Sequence, residues 1–181
     1  MVIFRVTIFH LYWFHLYTMA TQLKNLSDFS HTTIPSSTDF RFAIITAQWN
    51  AEVTGALYQG AYDMLIQQGT PEDNIISVAV PGSYELIAGA EMMLSSKKVD
   101  AVICLGCIIQ GDTPHFDYIC SGVANGIANV GIKHSVPVIF GVLTTLNLEQ
   151  AHERAGGKHG NKGTEAAASA ILMADLQRSL K

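Results

Sequence analysis

The chain has 181 residues, a length that favours a single domain, and a net charge of −4 at neutral pH. Hydrophobic residues make up 49% of it and charged residues 14%, so the composition suits a soluble protein with a sizeable core and more apolar surface to bury in an oligomer. A nucleic-acid partner is disfavoured, because a phosphate backbone requires clustered Lys and Arg and the chain has only 11 basic residues.

Residues 1–18 are rich in aromatic side chains and contain one Arg and no acidic residue. A signal peptide or membrane anchor is one interpretation. The segment is, however, shorter than the about 20 residues of a spanning helix, its basic end is limited to Arg5, and no clear cleavage site follows. We therefore favour a start at Met19, with no membrane partner and a cytoplasmic location. Residues 21–38 are polar, which predicts an N-terminal arm (residues 1–38), disordered or strand-donating, before a domain of residues 39–181.

From residue 39 onward, short apolar runs alternate with amphipathic stretches. The runs predict strands at Phe40–Thr46, Ile75–Val80, Ala101–Ile109 and Val136–Leu143. The amphipathic stretches predict helices at Asn50–Gln68, Ser83–Ser95, Phe116–His134, Leu148–Ala155 and Thr164–Leu180, with a glycine-rich link at Gly156–Gly163. Ser83 is the predicted cap of the second of these helices. This alternation predicts an α/β three-layer sandwich of the flavodoxin-like type, in which a four-stranded parallel sheet is flanked by helices on both faces.

The three cysteines, Cys104, Cys107 and Cys120, form no regular disulfide framework and suit a reducing compartment. Cys104 and Cys107 have the C-x-x-C spacing of redox and zinc sites. They lie inside a predicted strand, where side chains three residues apart point to opposite faces. We therefore interpret both as buried core residues and predict no metal site.

In a parallel sheet, ligands bind beyond the carboxyl ends of the strands. The loops at these ends carry most of the side chains of this chain that could bind a ligand or take part in a reaction. The loop Gly111–His115 suits a phosphate because of its free N–H groups and the helix dipole, although a plain turn fits the sequence about as well. His115 could transfer protons, and Arg154 could clamp a phosphate or be a solvated charge. Trp49 could stack on a planar ligand or simply pack, and Glu85 complements a helix dipole with or without a ligand.

Four segments together resemble the lumazine synthase family. They are Trp49-Asn50, Val80–Glu85 (VPGSYE), Gly111–Tyr118 (GDTPHFDY) and Arg154–Gly163 (RAGGKHGNKG), and they occur in the family's order and spacing. The TPHFDY and GNKG pieces are specific in combination. The resemblance covers roughly residues 40–180, and the first 38 residues carry no part of it.

The resemblance implies a role for each matching residue. His115 matches the proton-transfer histidine of the family. The phosphate-binding positions match Gly111, Asp112, Thr113 and Arg154. The pyrimidine- and ribityl-binding positions match Trp49, Ser83, Tyr84, Glu85, Cys107, Ile108, Ile109, Phe140 and Lys162, of which Phe140 would be contributed by a neighbouring subunit.

The resemblance also implies the reaction, in which 5-amino-6-(D-ribitylamino)uracil condenses with 3,4-dihydroxy-2-butanone 4-phosphate to 6,7-dimethyl-8-ribityllumazine, phosphate and water. This is the penultimate step of riboflavin biosynthesis, and it requires no metal or redox cofactor. The family forms pentamers, some of them packed into sixty-subunit icosahedral shells. We therefore expect a homo-oligomer of at least five chains, and an association with riboflavin synthase stays open.

Two other functions fit parts of the sequence. A non-catalytic flavin- or lumazine-binding protein would keep Trp49 and Glu85 but would not need Arg154 and His115, and both are present. An unrelated flavodoxin-like binding or signalling domain would want a serine/threonine-rich phosphate loop or an acidic pocket, and neither appears in the sequence.

Overall fold

A computed structural model describes residues 33–181, so the predictions about a start at Met19 and about the first 32 residues of the arm lie outside the described residues. Within these described residues, four strands alternate with five helices in chain order: β1 (Phe42–Ala47), α1 (Ala51–Gln67), β2 (Ile75–Val80), α2 (Leu86–Ser96), β3 (Ala101–Ile109), α3 (His115–His134), β4 (Val138–Thr145), α4 (Leu148–Glu153) and α5 (Lys162–Ser179). A 3-10 turn, Glu72–Asn74, precedes β2, and a short antiparallel hairpin of β5 (Ala155–Gly157) and β6 (Gly160–Asn161) joins α4 to α5.

The four long strands are all parallel and are ordered β2-β1-β3-β4. The central strands β1 and β3 are almost entirely buried, which explains why their sequences are apolar throughout rather than alternating. Helices α2 and α3 pack on one face of the sheet, and α1 and α5 pack on the other. The predicted three-layer α/β sandwich with a four-stranded parallel sheet is therefore confirmed.

The two cysteines of the C-x-x-C sequence point to opposite faces of β3, as the strand geometry predicted. Cys104 packs in the cluster beneath α2 and α3, whereas Cys107 packs in the cluster beneath α1 and α5. Burial raises the pKa of the Cys104 thiol to about 12 and the pKa of the Cys107 thiol to about 11. Both are therefore protonated core side chains at neutral pH, consistent with the interpretation made from sequence.

β4 begins two residues later than predicted. Pro137 has no N–H group to donate to a strand ladder. The N–H of Val136, just before it, donates instead to the carbonyl of Gly131 at 3.2 Å and so closes the end of α3. The strand consequently runs over Val138–Thr145.

α2 begins at Leu86, three residues after Ser83, which the sequence predicted as its cap. The Ser83 carbonyl accepts a hydrogen bond from the Leu86 N–H at 3.3 Å, while its hydroxyl faces β3, where a Cβ added to Gly106 would lie 2.6 Å from it. The predicted cap was therefore wrong. The consequence is a longer loop, residues 81–85, above the ends of the strands.

The predicted glycine-rich link forms the β5–β6 hairpin. Gly156 and Gly160 have φ angles of +117° and +82°, a region that glycine adopts without strain. Asn161 then caps α5 by accepting from the N–H groups of Gly163 and Thr164, and its amide donates to the Ala56 carbonyl of α1 at 2.9 Å. The hairpin is thereby fixed against α1.

Residues 33–38, the end of the predicted arm, contain neither helix nor strand but contact the domain. Ser37 is fully buried, its hydroxyl lies 2.7 Å from that of Thr70, and its N–H donates to the Gln68 carbonyl at 2.9 Å. Within residues 33–181, no helix combines the length and the apolar character that a membrane crossing requires.

Candidate active site

A cavity of about 510 Å³ opens at the carboxyl ends of β1, β2 and β3. Parallel sheets of this kind bind ligands at this edge, and the volume suits a small-molecule site. The loops after the three strands and the start of α3 meet there. The lining residues are Trp49, Asn50, Gly82, Ser83, Tyr84, Glu85, Cys107, Ile108, Ile109, His115 and Ile119.

A second cavity, of about 430 Å³, lies at the opposite end of the sheet, between α3, the start of β4 and the end of α5. Its lining consists of apolar residues together with Ser135 and Gln177, and it includes no acid, histidine, cysteine, lysine or arginine. Of these two cavities, only the first contains groups able to transfer protons or to carry charge. We therefore place the candidate active site in the first cavity.

The cavity brings together His115 and most of the residues predicted to bind the pyrimidine and its ribityl chain: Trp49, Ser83, Tyr84, Glu85, Cys107, Ile108 and Ile109. The lining leaves out Phe140 and Lys162, and also the predicted phosphate-binding residues Gly111, Asp112, Thr113 and Arg154. The three loop residues are exposed just before the start of α3. Phe140 lies within β4, partly buried on the α2–α3 side of the sheet.

The Trp49 side chain is 73% exposed at the cavity, so its indole face is available to a planar ligand. Two hydrogen bonds hold this segment in place. The Asn50 amide donates to the Cys107 carbonyl at 3.0 Å, and the Trp49 N–H donates to the Pro81 carbonyl at 3.1 Å. The loop after β1 is thereby tied to both neighbouring strands.

The loop 81–85 presents one buried and two exposed side chains to the cavity. Ser83 is buried, whereas Tyr84 and Glu85 are exposed. Glu85 is the N-cap residue of α2, where a carboxylate is favoured by the helix dipole and keeps free acceptor sites for hydroxyl groups. Tyr84 lies against α3, where a Cβ added to Gly122 would be 3.5 Å from its ring.

His115 is the first residue of α3 and is exposed. The first N–H groups of a helix have no partner within it, and together with the dipole they attract anions. Gly111, Asp112 and Thr113 precede them in an exposed loop. The carboxylate of Asp112 lies outside the cavity lining.

Arg154 and Lys162 lie at the two ends of the β5–β6 hairpin. Arg154 follows the last turn of α4, and its guanidinium forms no hydrogen bond or ion pair with any residue from 33 to 181. The Lys162 ammonium lies 3.0 Å from the Glu165 carboxylate, one turn further along α5. In the described part of the chain, no three His, Cys, Asp or Glu side chains come together as the ligands of one metal ion would.

Three lining residues were not predicted as site residues. Ile119 follows His115 by four positions and so lies on the same face of α3, which was a usable signal. Gly82 lies inside the VPGSYE segment that carries the resemblance. The only sequence signal for Asn50 as a site residue is its position next to Trp49, because its left-handed backbone conformation (φ 61°) cannot be read from the sequence.

The sequence profile of the 6,7-dimethyl-8-ribityllumazine synthase family matches residues 39–178. The chain belongs to this family. Among relatives named 6,7-dimethyl-8-ribityllumazine synthase, one from Porphyromonas gingivalis is 52% identical over 160 residues, covering 88% of this chain and 99% of the relative. A relative of the same name from Cytophaga hutchinsonii is 54% identical over 155 residues, covering 86% of this chain and 97% of the relative.

A third lumazine synthase, from Flavobacterium johnsoniae, is 51% identical over 160 residues, covering 88% of this chain and 84% of the relative. The resemblance carried by the four sequence segments is thus confirmed over most of the chain. The prediction of an enzyme of the lumazine synthase family is confirmed with it.

Proposed function

We propose that the chain catalyses the condensation of 5-amino-6-(D-ribitylamino)uracil with 3,4-dihydroxy-2-butanone 4-phosphate to 6,7-dimethyl-8-ribityllumazine, phosphate and water. One observation carries this proposal: an exposed indole, a carboxylate and an imidazole converge in one cavity at the ends of three parallel strands. The name that these relatives share, 6,7-dimethyl-8-ribityllumazine synthase, supports the same reaction.

The pyrimidine end of the site is formed by the loops after β1 and β2 and by the end of β3. Trp49 stacks on the ring, since its exposed indole face suits a planar ligand. The backbone of Cys107, Ile108 and Ile109 borders the polar edge of the ring. Ser83, Tyr84 and Glu85 hold the ribityl chain, whose hydroxyl groups are donors for the carboxylate.

The phosphate end of the site is the start of α3. Backbone N–H groups of Gly111, Asp112 and Thr113 bind the phosphate of the four-carbon substrate, aided by the helix dipole. The Arg154 guanidinium adds the fork of donors that matches a phosphate group. His115 then lies between the phosphate and the carbonyl carbon that reacts.

The chemistry consists of additions, eliminations and proton transfers. The 5-amino group attacks the ketone carbon, and loss of water gives a Schiff base. Proton removal from the adjacent carbon lets phosphate leave with the electrons of its C–O bond and gives an enol. The enol tautomerises to a methyl ketone, and attack by the ribitylamino nitrogen on this new carbonyl closes the ring with loss of a second water. His115 moves the protons, since an imidazole both accepts and donates them near neutral pH. No electron acceptor is consumed.

Holding the two substrates in register supplies a large part of the acceleration, up to about 7–11 kcal/mol in favourable cases. The site therefore relies on geometry more than on any single acid or base. Its walls come from three separate strand ends, and that geometry depends on the completed sheet.

A neighbouring copy completes the site in this proposal. Phe140, Arg154 and Lys162 lie outside the cavity of their own chain, so they serve the cavity of the next subunit in a homopentamer. The described part of the chain supports this with exposed apolar side chains on several elements, including Tyr118, Ile132 and Leu148. Such surface is buried when subunits associate.

Mixing the purified protein with both substrates tests the proposal. The expected result is the absorbance of the lumazine product together with one equivalent of phosphate, and neither in reactions that lack one substrate. A protein that binds the lumazine product but releases no phosphate would be the non-catalytic binding protein instead. Absence of both products from a folded protein would overturn the enzyme assignment for this chain.

A further inference from the structure

Glu153, the last residue of α4, lies at the centre of a small ionic cluster next to Arg154. Its carboxylate forms a short ion pair with the Lys158 ammonium and lies 3.7 Å from Nε2 of His159. Both partners come from the turn between β5 and β6. Hydrogen bonding to Lys158, with smaller contributions from the charges of Lys158, His159 and Arg154, holds the pKa of Glu153 below its ordinary value. The carboxylate is thus charged whenever the enzyme works near neutral pH.

The main chain of the same hairpin encloses Glu153 and Arg154. The His159 N–H donates to the Glu153 carbonyl at 2.9 Å, and the Lys162 N–H donates to the Arg154 carbonyl at 2.9 Å. Gly157 passes so closely that an added Cβ would lie 2.7 Å from the Glu153 Cα. The backbone at Arg154 is therefore bonded to one end of the hairpin, while the Glu153 side chain fastens its turn.

The ion pairs of this cluster also determine which cationic side chain of residues 154–162 is available to an anion. Lys158 and His159 face Glu153, and Lys162 faces Glu165 at 3.0 Å. The half-buried Arg154 has no ion pair of its own within the described residues. Its guanidinium is therefore the group of the hairpin that a phosphate can engage without breaking an existing pair.

We propose that Glu153 is a positioning residue for phosphate recognition. By pairing with Lys158 and His159, it holds the hairpin in the form that presents Arg154, which has no ion pair within residues 33–181, to the phosphate of the four-carbon substrate. This inference rests on the proposed function of Arg154. Loss of this positioning role should weaken phosphate binding. A simple charge effect has the opposite sign, because removing a nearby negative charge would by itself strengthen the attraction of Arg154 for an anion.

Two variants separate position from charge. Glu153→Ala removes the clamp, whereas Glu153→Gln keeps the length and the acceptor oxygen but not the charge. We expect Glu153→Ala to raise the KM for 3,4-dihydroxy-2-butanone 4-phosphate, and the Kd for inorganic phosphate measured by calorimetry, by about tenfold, since small misplacements of a binding group are costly. Glu153→Gln should recover part of this loss. The KM for the pyrimidine should change by less than about twofold in both, because Trp49 and Glu85 are untouched.

Two further measurements tie the effect to Arg154. In an Arg154→Ala background, Glu153→Ala should cause no additional loss of phosphate affinity, since a residue that acts through another has no effect without it. The matched control is Glu149→Ala, which removes an exposed carboxylate from the first turn of the same helix and should leave both KM values unchanged. Thermal melting and sedimentation of each variant check that fold and assembly are intact.

Phosphate binding as strong as in the unmodified protein, or stronger, in folded Glu153→Ala would overturn the inference, and so would a full effect in the Arg154→Ala background. An unmodified protein that binds no phosphate overturns it as well. Lumazine formation by the unmodified protein is a separate readout: its absence, with phosphate binding still weakened by Glu153→Ala, would remove the proposed function and leave the positioning role standing.

Discussion

Asn50 combines a backbone conformation and a side-chain bond that few residues offer together. Its φ of 61° lies in the left-handed region, which only glycine and, to a lesser degree, Asn and Asp adopt readily. Its amide also reaches the Cys107 carbonyl at 3.0 Å. Through these two properties one residue turns the chain from β1 into α1 and fastens the cavity wall to β3.

Asn50→Ala should lower the free energy of unfolding by about 2–3 kcal/mol, because it adds left-handed strain and loses the hydrogen bond. Asn50→Gly separates the two causes, since glycine accepts the conformation but has no amide. We expect Asn50→Gly to cost about 1 kcal/mol less than Asn50→Ala in urea denaturation. Equal losses in the two variants would mean that backbone strain plays no part.

His115→Ala should slow turnover by about 10²–10⁴-fold without abolishing it, because a general acid–base residue contributes about that much while substrate positioning is retained. Steady-state assays give the rate, and added imidazole should raise the rate of the variant since the cavity is open to solvent. Complete loss of turnover with substrate binding intact would show that His115 has a larger role than proton transfer.

The residues that directly follow a strand could be placed from sequence alone. Parallel topology sends the ends of β1, β2 and β3 to one edge of the sheet, so Trp49, Glu85 and His115 had to lie near one another. The spacing of Ile119 predicts a place in the apolar stripe of a helix, and the residue does pack against the core there as well as lining the cavity. The local sequence does not predict whether Arg154 enters the cavity of its own subunit or that of a neighbour, because this depends on how the subunits pack together.

At the scale of elements, the crossing of α1 over α5 depends on the absence of a single side chain. A Cβ added to Gly163 would lie 1.8 Å from the Leu57 carbonyl oxygen, so the two helices could not keep their separation. Gly163→Ala should therefore destabilise the protein by about 3 kcal/mol in a denaturant titration. Gly55→Ala, in α1 with nothing within 4 Å of the added Cβ, is the matched control and should stabilise it by about 0.5–1 kcal/mol. Similar losses in both variants would contradict this account.

Helices α2 and α3 are joined at the surface by Glu91, whose carboxylate pairs with Lys133 and lies 3.0 Å from Nε2 of His134. Hydrogen bonding to Lys133, and then to His134, lowers the pKa of Glu91 below its ordinary value of 4.5. A lowered pKa means that the contribution to stability is complete above that ordinary value and is lost as the pH falls through the lowered one.

Glu91→Gln should accordingly be less stable than the unmodified protein at pH 6, and the difference should shrink as the pH falls below 4.5 and vanish once the pH has passed the lowered pKa of Glu91. Urea denaturation of both proteins across this range measures the difference directly. A difference that stays constant down to pH 3 would contradict the ionic origin of the contact, since a protonated Glu91 cannot form the ion pair.

The elements themselves differed in how far sequence could predict them. β3 was placed correctly at both ends because nine consecutive apolar residues admit a buried strand and little else. The β5–β6 hairpin escaped prediction because its strands are too short and too rich in glycine to show alternation. It exists through hydrogen bonds to Glu153, Arg154 and α1, contacts that come from the tertiary structure and not from local propensity.

At the scale of the whole molecule, the proposed site forms only when several copies of the chain assemble. We expect a pentamer with a mass of about 98 kDa, five times the 19.6 kDa of the chain, or a sixty-subunit shell twelve times heavier, in analytical ultracentrifugation. A monomeric mass at micromolar concentration would contradict a site completed by a neighbour, because Phe140, Arg154 and Lys162 would then have no cavity to enter.

Mixed assemblies test the sharing of residues between subunits. One variant, Trp49→Ala with His115→Ala, damages the cavity, and the other, Arg154→Ala, damages the hairpin. Co-assembled at random, about a quarter of the sites would combine an intact cavity with an intact neighbouring Arg154, so activity should exceed the sum of the two separate variants. If mixing does not raise the activity, Arg154 acts in the cavity of its own subunit.

The opposite orientation of the two cysteines on β3 has a use of its own. A thiol reagent reaches Cys104 only when the α2–α3 layer separates from the sheet. Cys107 borders the cavity with 3% of its surface exposed, and it becomes fully reachable when the α1–α5 layer separates. With the partly exposed Cys120 replaced by Ser, the chain holds two natural reporters, one for each side of the sandwich. Their labelling rates, read separately by mass spectrometry, would reveal whether the two helical layers detach in turn or as one cooperative unit.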